Sequence, residues 1–110
     1  MVYHYNMTNN LSKKATISKG YDKFLTLCYA EKSRAGLKEL LDFFLTIEER
    51  NVIATRVLLV RELLKDEKTQ RQIAKELGIS IAKITRGSNM LKALDEAVQQ
   101  KLLQKLVDEQ

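Results

Sequence analysis

The sequence predicts an all-α domain, and three observations support that prediction. Ala, Glu, Lys, Leu and Arg make up about half of the 110 residues, a composition typical of helical proteins. Proline is absent and glycine occurs four times, so few positions would interrupt a helix. With 45% hydrophobic and 30% charged residues, the chain can form one core but is too short for two.

The N-terminal part is expected to contain an arm and two helices. Residues 1–17 show no sustained periodicity, and we interpret them as a flexible arm before a single domain. Over residues 18–32, apolar side chains recur at i, i+3, i+4 and i+7, which predicts the first helix. Ala35 and Gly36 are expected to interrupt it, and residues 37–45 form a short second helix.

Two later helices are more apolar than one small domain could cover. Thr46 and Glu49 have the spacing of a capping box, which predicts a third helix from there to about Lys65. Apolar residues lie on most of its circumference, so it should be buried on several sides. The last helix, with Asp95 as its N-cap, also has a broad apolar stripe. We therefore expect about six helices over residues 18–110 and an obligate homodimer.

Positive charge is concentrated in one segment of the chain. The net charge is +5, and residues 67–93 contain six basic and two acidic residues, a net charge of +4. Such an excess is expected of a surface that binds a polyanion. On charge alone, a lysine-rich face that is merely solvated explains the pattern as well, and so does a module that docks an acidic protein.

Catalysis, metal binding and membrane insertion find little support. Cys28 is the only cysteine, so no intramolecular disulfide or thiolate metal cluster can be built. His4, the only histidine, lies in the polar N-terminal segment with no nucleophile near it in sequence, so a Ser-His or Cys-His catalytic pair has no obvious members. No apolar run approaches the ~18 residues that span a bilayer, and the N-terminus has no signal-peptide core. We expect a cytoplasmic protein that is not an enzyme and has no metal.

The segment at about residues 69–92 predicts a helix-turn-helix. Thr69 and Gln72 form a capping box, Gly78 permits a tight turn, and Ser80 can cap the second helix. Apolar residues should point back to the core: Ile73, Ala74, Leu77, Ile81, Ile84 and Leu91. In such motifs the second helix enters the major groove of DNA.

Two groups of candidate DNA-binding residues follow from this motif. Those near the start of the second helix would meet base edges: Ile79, Ser80, Ile81, Ala82, Lys83 and Thr85. The others would position phosphates: Gln70, Arg71, Lys75 and Lys92. Because only Lys83 in the first group is long and polar, DNA shape and water bridges should contribute to recognition.

Gly87 lies inside the second helix, where it should cost about 1 kcal/mol relative to alanine. Two explanations are open. Either the backbone packs closely against a neighbouring helix, or a small planar ligand lies against it.

Three strings resemble the bacterial tryptophan repressor family: L-T-I-E-E-R at 45–50, A-T-R-V at 54–57, and I-T-R-G-S-N-M-L-K at 84–92. The resemblance extends from about Phe24 to the C-terminal helix. It implies an intertwined all-helical homodimer that binds double-stranded operator DNA with L-tryptophan as corepressor. It further implies repression of genes for tryptophan biosynthesis or transport.

The resemblance also implies a ligand site. The indole would lie between Arg56 and Arg86 beside Gly87, and guanidinium groups suit both ring stacking and carboxylate binding. The ligand carboxylate would be bound by Arg86 and by the hydroxyl of Thr46. The ammonium group would meet the backbone carbonyls of Phe43 and Leu45.

Two positions depart from the familiar pattern. Met90 replaces a serine that helps to accept the ammonium group, so tryptophan binding is expected to be weaker by about 0.5–1.5 kcal/mol. Lys83 replaces a threonine on the base-reading helix, and the added cation should favour phosphate or guanine. The alternative hypothesis is a regulator of the same fold that responds to a different effector or to none.

Overall fold

The computed structural model describes residues 7–108, with side chains from 12 to 107. Within these residues the chain is helical and contains no strand, so the predicted all-α class with about six helices is confirmed. The elements are α1 Met7–Ala30, α2 Arg34–Phe44, α3 Ile47–Lys65, α4 Gln70–Leu77, α5 Ile81–Lys92, α6 Glu96–Leu103 and a π-helical segment Gln104–Asp108. They belong to two compact units, Met1–Thr46 (unit 1) and Ile47–Gln110 (unit 2).

The first helix begins earlier than predicted. It starts at Met7, so most of the expected arm, residues 1–17, is helical, while His4 lies outside the described residues. The described side chains of residues 12–20 are all exposed and bury nothing. Lack of amphipathic periodicity does not prevent a helix here, because each added residue extends an existing helix with a further backbone hydrogen bond.

The break between α1 and α2 also differs from the prediction. Ala35 and Gly36 do not interrupt a helix but lie in the first turn of α2. The interruption comes at residues 31–33, where the Ser33 hydroxyl accepts a hydrogen bond from the Gly36 amide at 3.0 Å. A serine N-cap satisfies an amide that the new helix leaves unpaired, so it determines the start of α2.

Unit 1 carries aromatic side chains but no buried residue among those of α2. Phe44 packs edge-on against Phe24, with ring centroids 5.7 Å apart, and against Phe43 at 5.1 Å. Phe43, Tyr21 and Leu25 remain exposed. The three buried hydrophobic side chains of the described residues all belong to unit 2.

The core of unit 2 joins α3, α4 and α5 through Leu59, Ile73 and Ile84. Ala74 and Leu77 pack against this core, as predicted. The prediction for Ile81 was wrong, because its side chain is 46% exposed. Ile79, in the turn just before α5, packs against the core in its place.

The apolar circumference of α3 is only partly covered within the chain. Leu59 is its one buried hydrophobic residue among those described. Val52, Ile53, Val57 and Leu58 are exposed in the single chain, and their predicted burial against a second subunit stays a prediction. The single chain therefore leaves an apolar surface along α3.

A three-residue ionic cluster joins the end of α3 to α4. The Glu62 carboxylate is buried, and the Lys68 ammonium lies 3.1 Å from its Oε2 and 2.7 Å from Oε2 of Glu76. The hydrogen bond from Lys68 lowers the pKa of Glu62, although burial opposes the shift. Hydrogen bonds to Glu76 and Glu62 raise the pKa of Lys68. Glu62 and Lys68 are thus both charged at neutral pH, and because Lys68 lies close to two carboxylates it adds little positive field to the segment 67–93.

Replacing Glu62 tests this cluster. Glu62→Gln keeps the shape but removes the charge, so we expect the free energy of unfolding to fall by about 1–3 kcal/mol at pH 7. A lowered pKa stabilises the fold above the ordinary value of 4.5. That contribution is lost as the pH falls through the lowered pKa, so the wild-type and variant stabilities should converge in acid. Urea unfolding at fixed protein concentration measures both effects.

Lys38→Met is the matched control, because Lys38 pairs with Asp42 on the exposed surface of α2. Such a pair contributes about 0.3–0.5 kcal/mol. Equal losses for the two variants, without convergence in acid, would contradict the assignment.

Candidate DNA interface and ligand cleft

Two caps and one glycine build the helix-turn-helix. The Thr69 amide donates to Oε1 of Gln72 at 2.8 Å, and the Gln72 amide donates to the Thr69 hydroxyl at 3.1 Å. Gly78 ends α4 in the left-handed conformation with φ of 65°, which glycine adopts at little cost. Ser80 then caps α5, accepting from the Lys83 amide at 3.2 Å. The capping and turn predictions are confirmed at each of these positions.

Most candidate DNA-binding side chains form an exposed surface on α4 and α5. The exposed members are Gln70, Arg71, Lys75, Ser80, Ile81, Ala82, Lys83, Thr85 and Lys92. The Thr85 hydroxyl donates to the Ile81 carbonyl at 3.1 Å, and the Ser80 hydroxyl is occupied by its capping bond. Their role in DNA binding stays a prediction.

Two of the candidates for base reading have a different environment. Ile79 is half-buried against the core, and it also lines a cleft in unit 2. Lys83 lines the same cleft, although its side chain is accessible. Among the candidates for base reading on α5, Ile81, Ala82 and Thr85 are exposed and do not line the cleft.

The cleft has a volume of about 530 Å³ and a mostly apolar lining. It contains the four unit 2 residues that the resemblance assigned to ligand binding, Arg56, Arg86, Gly87 and Met90. Sequence reasoning did not assign to a ligand site the remaining lining residues of α3, α5, α6 and the loop between α5 and α6: Asn51, Val52, Thr55, Leu59, Val60, Leu91, Leu94 and Leu102.

Helical spacing was the signal that could have identified the missed residues of α3. Val52, Thr55, Leu59 and Val60 surround Arg56 on one face of the helix. Leu102 has no such signal, because its position in the cleft depends on packing between helices that are distant in the sequence.

The remaining three candidates belong to unit 1. Phe43 lies in the last turn of α2 with its side chain 81% exposed. Leu45 is half-buried, and its amide donates to the Leu41 carbonyl at 2.8 Å. Thr46 is exposed and directly precedes α3. Ligand binding by these residues stays a prediction.

Gly87 permits a close approach of α5 to α3. A Cβ atom at this position would lie 2.8 Å from Cδ2 of Leu59 and 3.8 Å from Cδ1 of Leu63. The first distance is too short for two carbon atoms. The close-packing explanation for this glycine is therefore supported, and because Gly87 also lines the cleft, the ligand explanation stays open.

An exposed cationic helix-turn-helix is the feature of a DNA-binding regulator, and here a cleft lies beside its second helix. Residues 19–106 match the family described as Trp repressor protein. The chain therefore belongs to the Trp repressor family, whose members are DNA-binding regulators and not enzymes.

Similar proteins with the name Trp operon repressor homolog occur in several bacteria. The chain is 49% identical to that of Chlamydia trachomatis serovar D over 76 residues, which cover 69% of this chain and 81% of the relative. It is 47% identical to that of Chlamydia caviae over 76 residues, or 69% and 75% of the two chains. With that of Vibrio parahaemolyticus it shares 51% identity over 63 residues, or 57% and 61%.

Neither a metal site nor a membrane-spanning helix occurs in the described part of the chain. It contains no group of three or more His, Cys, Asp or Glu residues arranged to hold a metal ion. None of the helices described has the length and apolar character needed to cross a membrane.

Substitution of Gly87 tests the close approach of α3 and α5. Gly87→Ala adds a methyl group against Leu59, which must then move into the core or the cleft. Gly20→Ala is the matched control, because a Cβ at Gly20 in α1 meets nothing within 4 Å. Relative to this control, we expect Gly87→Ala to lower the free energy of unfolding by about 1–3 kcal/mol.

Urea unfolding at one protein concentration provides the comparison. Combining Gly87→Ala with Leu59→Ala should cost less than the sum of the two single changes, because the truncated side chain leaves room for the methyl group. Equal stability of the two Gly→Ala variants would refute the close contact.

Proposed function

We propose that this chain is a tryptophan-dependent transcriptional repressor. It binds double-stranded operator DNA as a homodimer in the cytoplasm, and it represses genes for tryptophan biosynthesis or transport. The observation that carries the proposal is that α5 contributes Arg86, Gly87 and Met90 to the cleft and an exposed surface to the helix-turn-helix. One helix thus connects ligand and DNA. The names of the similar bacterial proteins support the same function.

The cleft has the properties that an indole ligand requires. Its volume of about 530 Å³ lies within the range of about 300–1,000 Å³ common for small-molecule sites. Leu59, Val60 and Leu91 offer apolar contacts. Arg56 and Arg86 supply guanidinium groups, which stack on aromatic rings and bind carboxylates through paired hydrogen bonds.

The proposed mechanism is a coupling of two binding equilibria through α5. A ligand between α3 and α5 favours those orientations of the recognition helix in which its contacts are complete. If these orientations also fit the major groove, ligand and operator raise each other's affinity by the same factor. A typical coupling free energy of about 1–3 kcal/mol corresponds to a change of about 5–150-fold.

A second copy of the chain is the proposed partner for the apolar surface of α3. Val52, Ile53, Val57 and Leu58 together present more exposed apolar side chain than a solvated helix needs. A twofold dimer would bury this surface and would carry two recognition helices, as paired operator half-sites require.

The alternative is a regulator of the same fold that responds to another effector or to none. Met90 favours it, because this cleft residue is 71% exposed and has no strong hydrogen-bond acceptor for an ammonium group. Calorimetry distinguishes the two. Saturable binding of one L-tryptophan per chain supports the proposal, whereas no heat from a folded protein that still binds DNA supports the alternative.

Arginine substitutions test the ligand site. Arg86→Ala removes charge-assisted hydrogen bonds worth about 1.5–3 kcal/mol, so we expect L-tryptophan to bind about ten- to a hundredfold more weakly. Arg71→Ala is the control, because Arg71 is exposed on α4 and does not line the cleft. It should leave tryptophan affinity unchanged. If Arg86→Ala retains both tryptophan binding and its effect on DNA affinity, the assigned site is wrong.

Salt dependence tests the DNA surface. Removing one cation that binds a phosphate should reduce the slope of log K against log salt by about 1, so Arg71→Ala and Lys75→Ala should each do so. Lys38→Ala, on α2, is the control and should leave the slope unchanged. Fluorescence anisotropy with operator and scrambled duplexes measures the slopes. Wild-type binding without sequence preference would instead indicate a nonspecific polyanion surface.

A further inference from the structure

The cleft combines three cations with no acid. Arg56, Lys83 and Arg86 line it, and its lining includes neither Asp nor Glu. Within the described residues, none of the three forms an ion pair. Elsewhere, Lys38, Lys65 and Lys68 each have a carboxylate partner. Positive charge in the cleft is thus uncompensated, which favours an anion there.

Lys83 occupies the cleft side of α5. It precedes Arg86, Gly87 and Met90 by three, four and seven residues, so the four lie on one stripe of the helix. All four line the cleft. Thr85, two residues further on, is directed to a different side, because residues i and i+2 do not share a helix face. The backbone of α5 therefore presents Lys83 to the cleft and Thr85 to the outer surface.

We infer that Lys83 binds the carboxylate of the cleft's ligand together with Arg86, and does not read base edges. Its long, flexible stem can follow the apolar wall while its ammonium group meets the anion. Lys83 is then a specificity-determining residue: it favours indole ligands with a carboxylate and disfavours cationic ones. This inference rests on the proposed function, because it assumes an indole ligand in the cleft.

Lys83→Met provides the test, because methionine keeps the apolar stem and removes the charge. Three probes are titrated by calorimetry: L-tryptophan, indole-3-propionate, which lacks the ammonium group, and tryptamine, which lacks the carboxylate. We expect Lys83→Met to weaken the binding of the two probes that have a carboxylate, L-tryptophan and indole-3-propionate, about five- to tenfold. Tryptamine should bind unchanged or more tightly, because a like charge has been removed.

Lys92→Met is the matched control, since Lys92 lies on the same helix but does not line the cleft. It should leave all three ligand affinities unchanged. The salt dependence of ligand-free DNA binding should show the opposite pattern: a slope smaller by about 1 for Lys92→Met, and an unchanged slope for Lys83→Met.

Two results would overturn the inference while leaving the proposed function intact. One is an unchanged set of ligand affinities in Lys83→Met with a reduced salt slope, which would assign Lys83 to DNA. The other is equal weakening of all three probes, which would mean a structural role independent of charge. If the folded wild-type protein binds none of the three probes, the tryptophan proposal itself fails, and the role of Lys83 fails with it.

Discussion

The contact between Leu59 and Gly87 is the constraint on which the rest of unit 2 depends. Leu59 also belongs to the core that joins α3 to Ile73 of α4 and Ile84 of α5. With so few buried side chains, the positions of α4 and α5 depend on how closely α5 can approach α3. The missing Cβ atom permits that approach, and Leu59 and Gly87 also form part of the cleft lining. Packing and ligand access are therefore determined by the same pair of residues.

The three sides of α5 have separate roles. Ile84 is buried in the core, Arg86 and Met90 line the cleft, and Thr85 faces outward. All three surfaces belong to one helix of twelve residues, so a ligand that moves the cleft side of α5 also moves its core side and its outer side. This is the physical basis for coupling in the proposed repressor. Lys83, which the sequence places among the base-reading residues, lies on the cleft side of this helix in the folded chain.

Local chemistry made much of the fold predictable. The Thr69 and Ser80 caps and the left-handed Gly78 depend on neighbours within a few residues, and each was predicted correctly. Ile81 was not, because apolar character cannot tell whether Ile79 or Ile81 reaches the core. The resemblance of short strings assigned Arg86, Gly87 and Met90 of α5 to a ligand site. The position of Leu102 in the cleft required knowledge of packing across the chain. Sequence patterns thus identified the elements more fully than the contacts between them.

The ionic cluster at the end of α3 restricts how this sequence can change. Glu62 is buried, and its charge is tolerated because Lys68 and Arg61 lie close to it. Loss of Lys68 by mutation would leave a buried carboxylate facing another acid, Glu76, with its main partner removed. Position 68 can therefore become neutral most easily after position 62 has lost its charge. Among diverging descendants of this chain, we expect the three positions to vary together, as a linked set of charges.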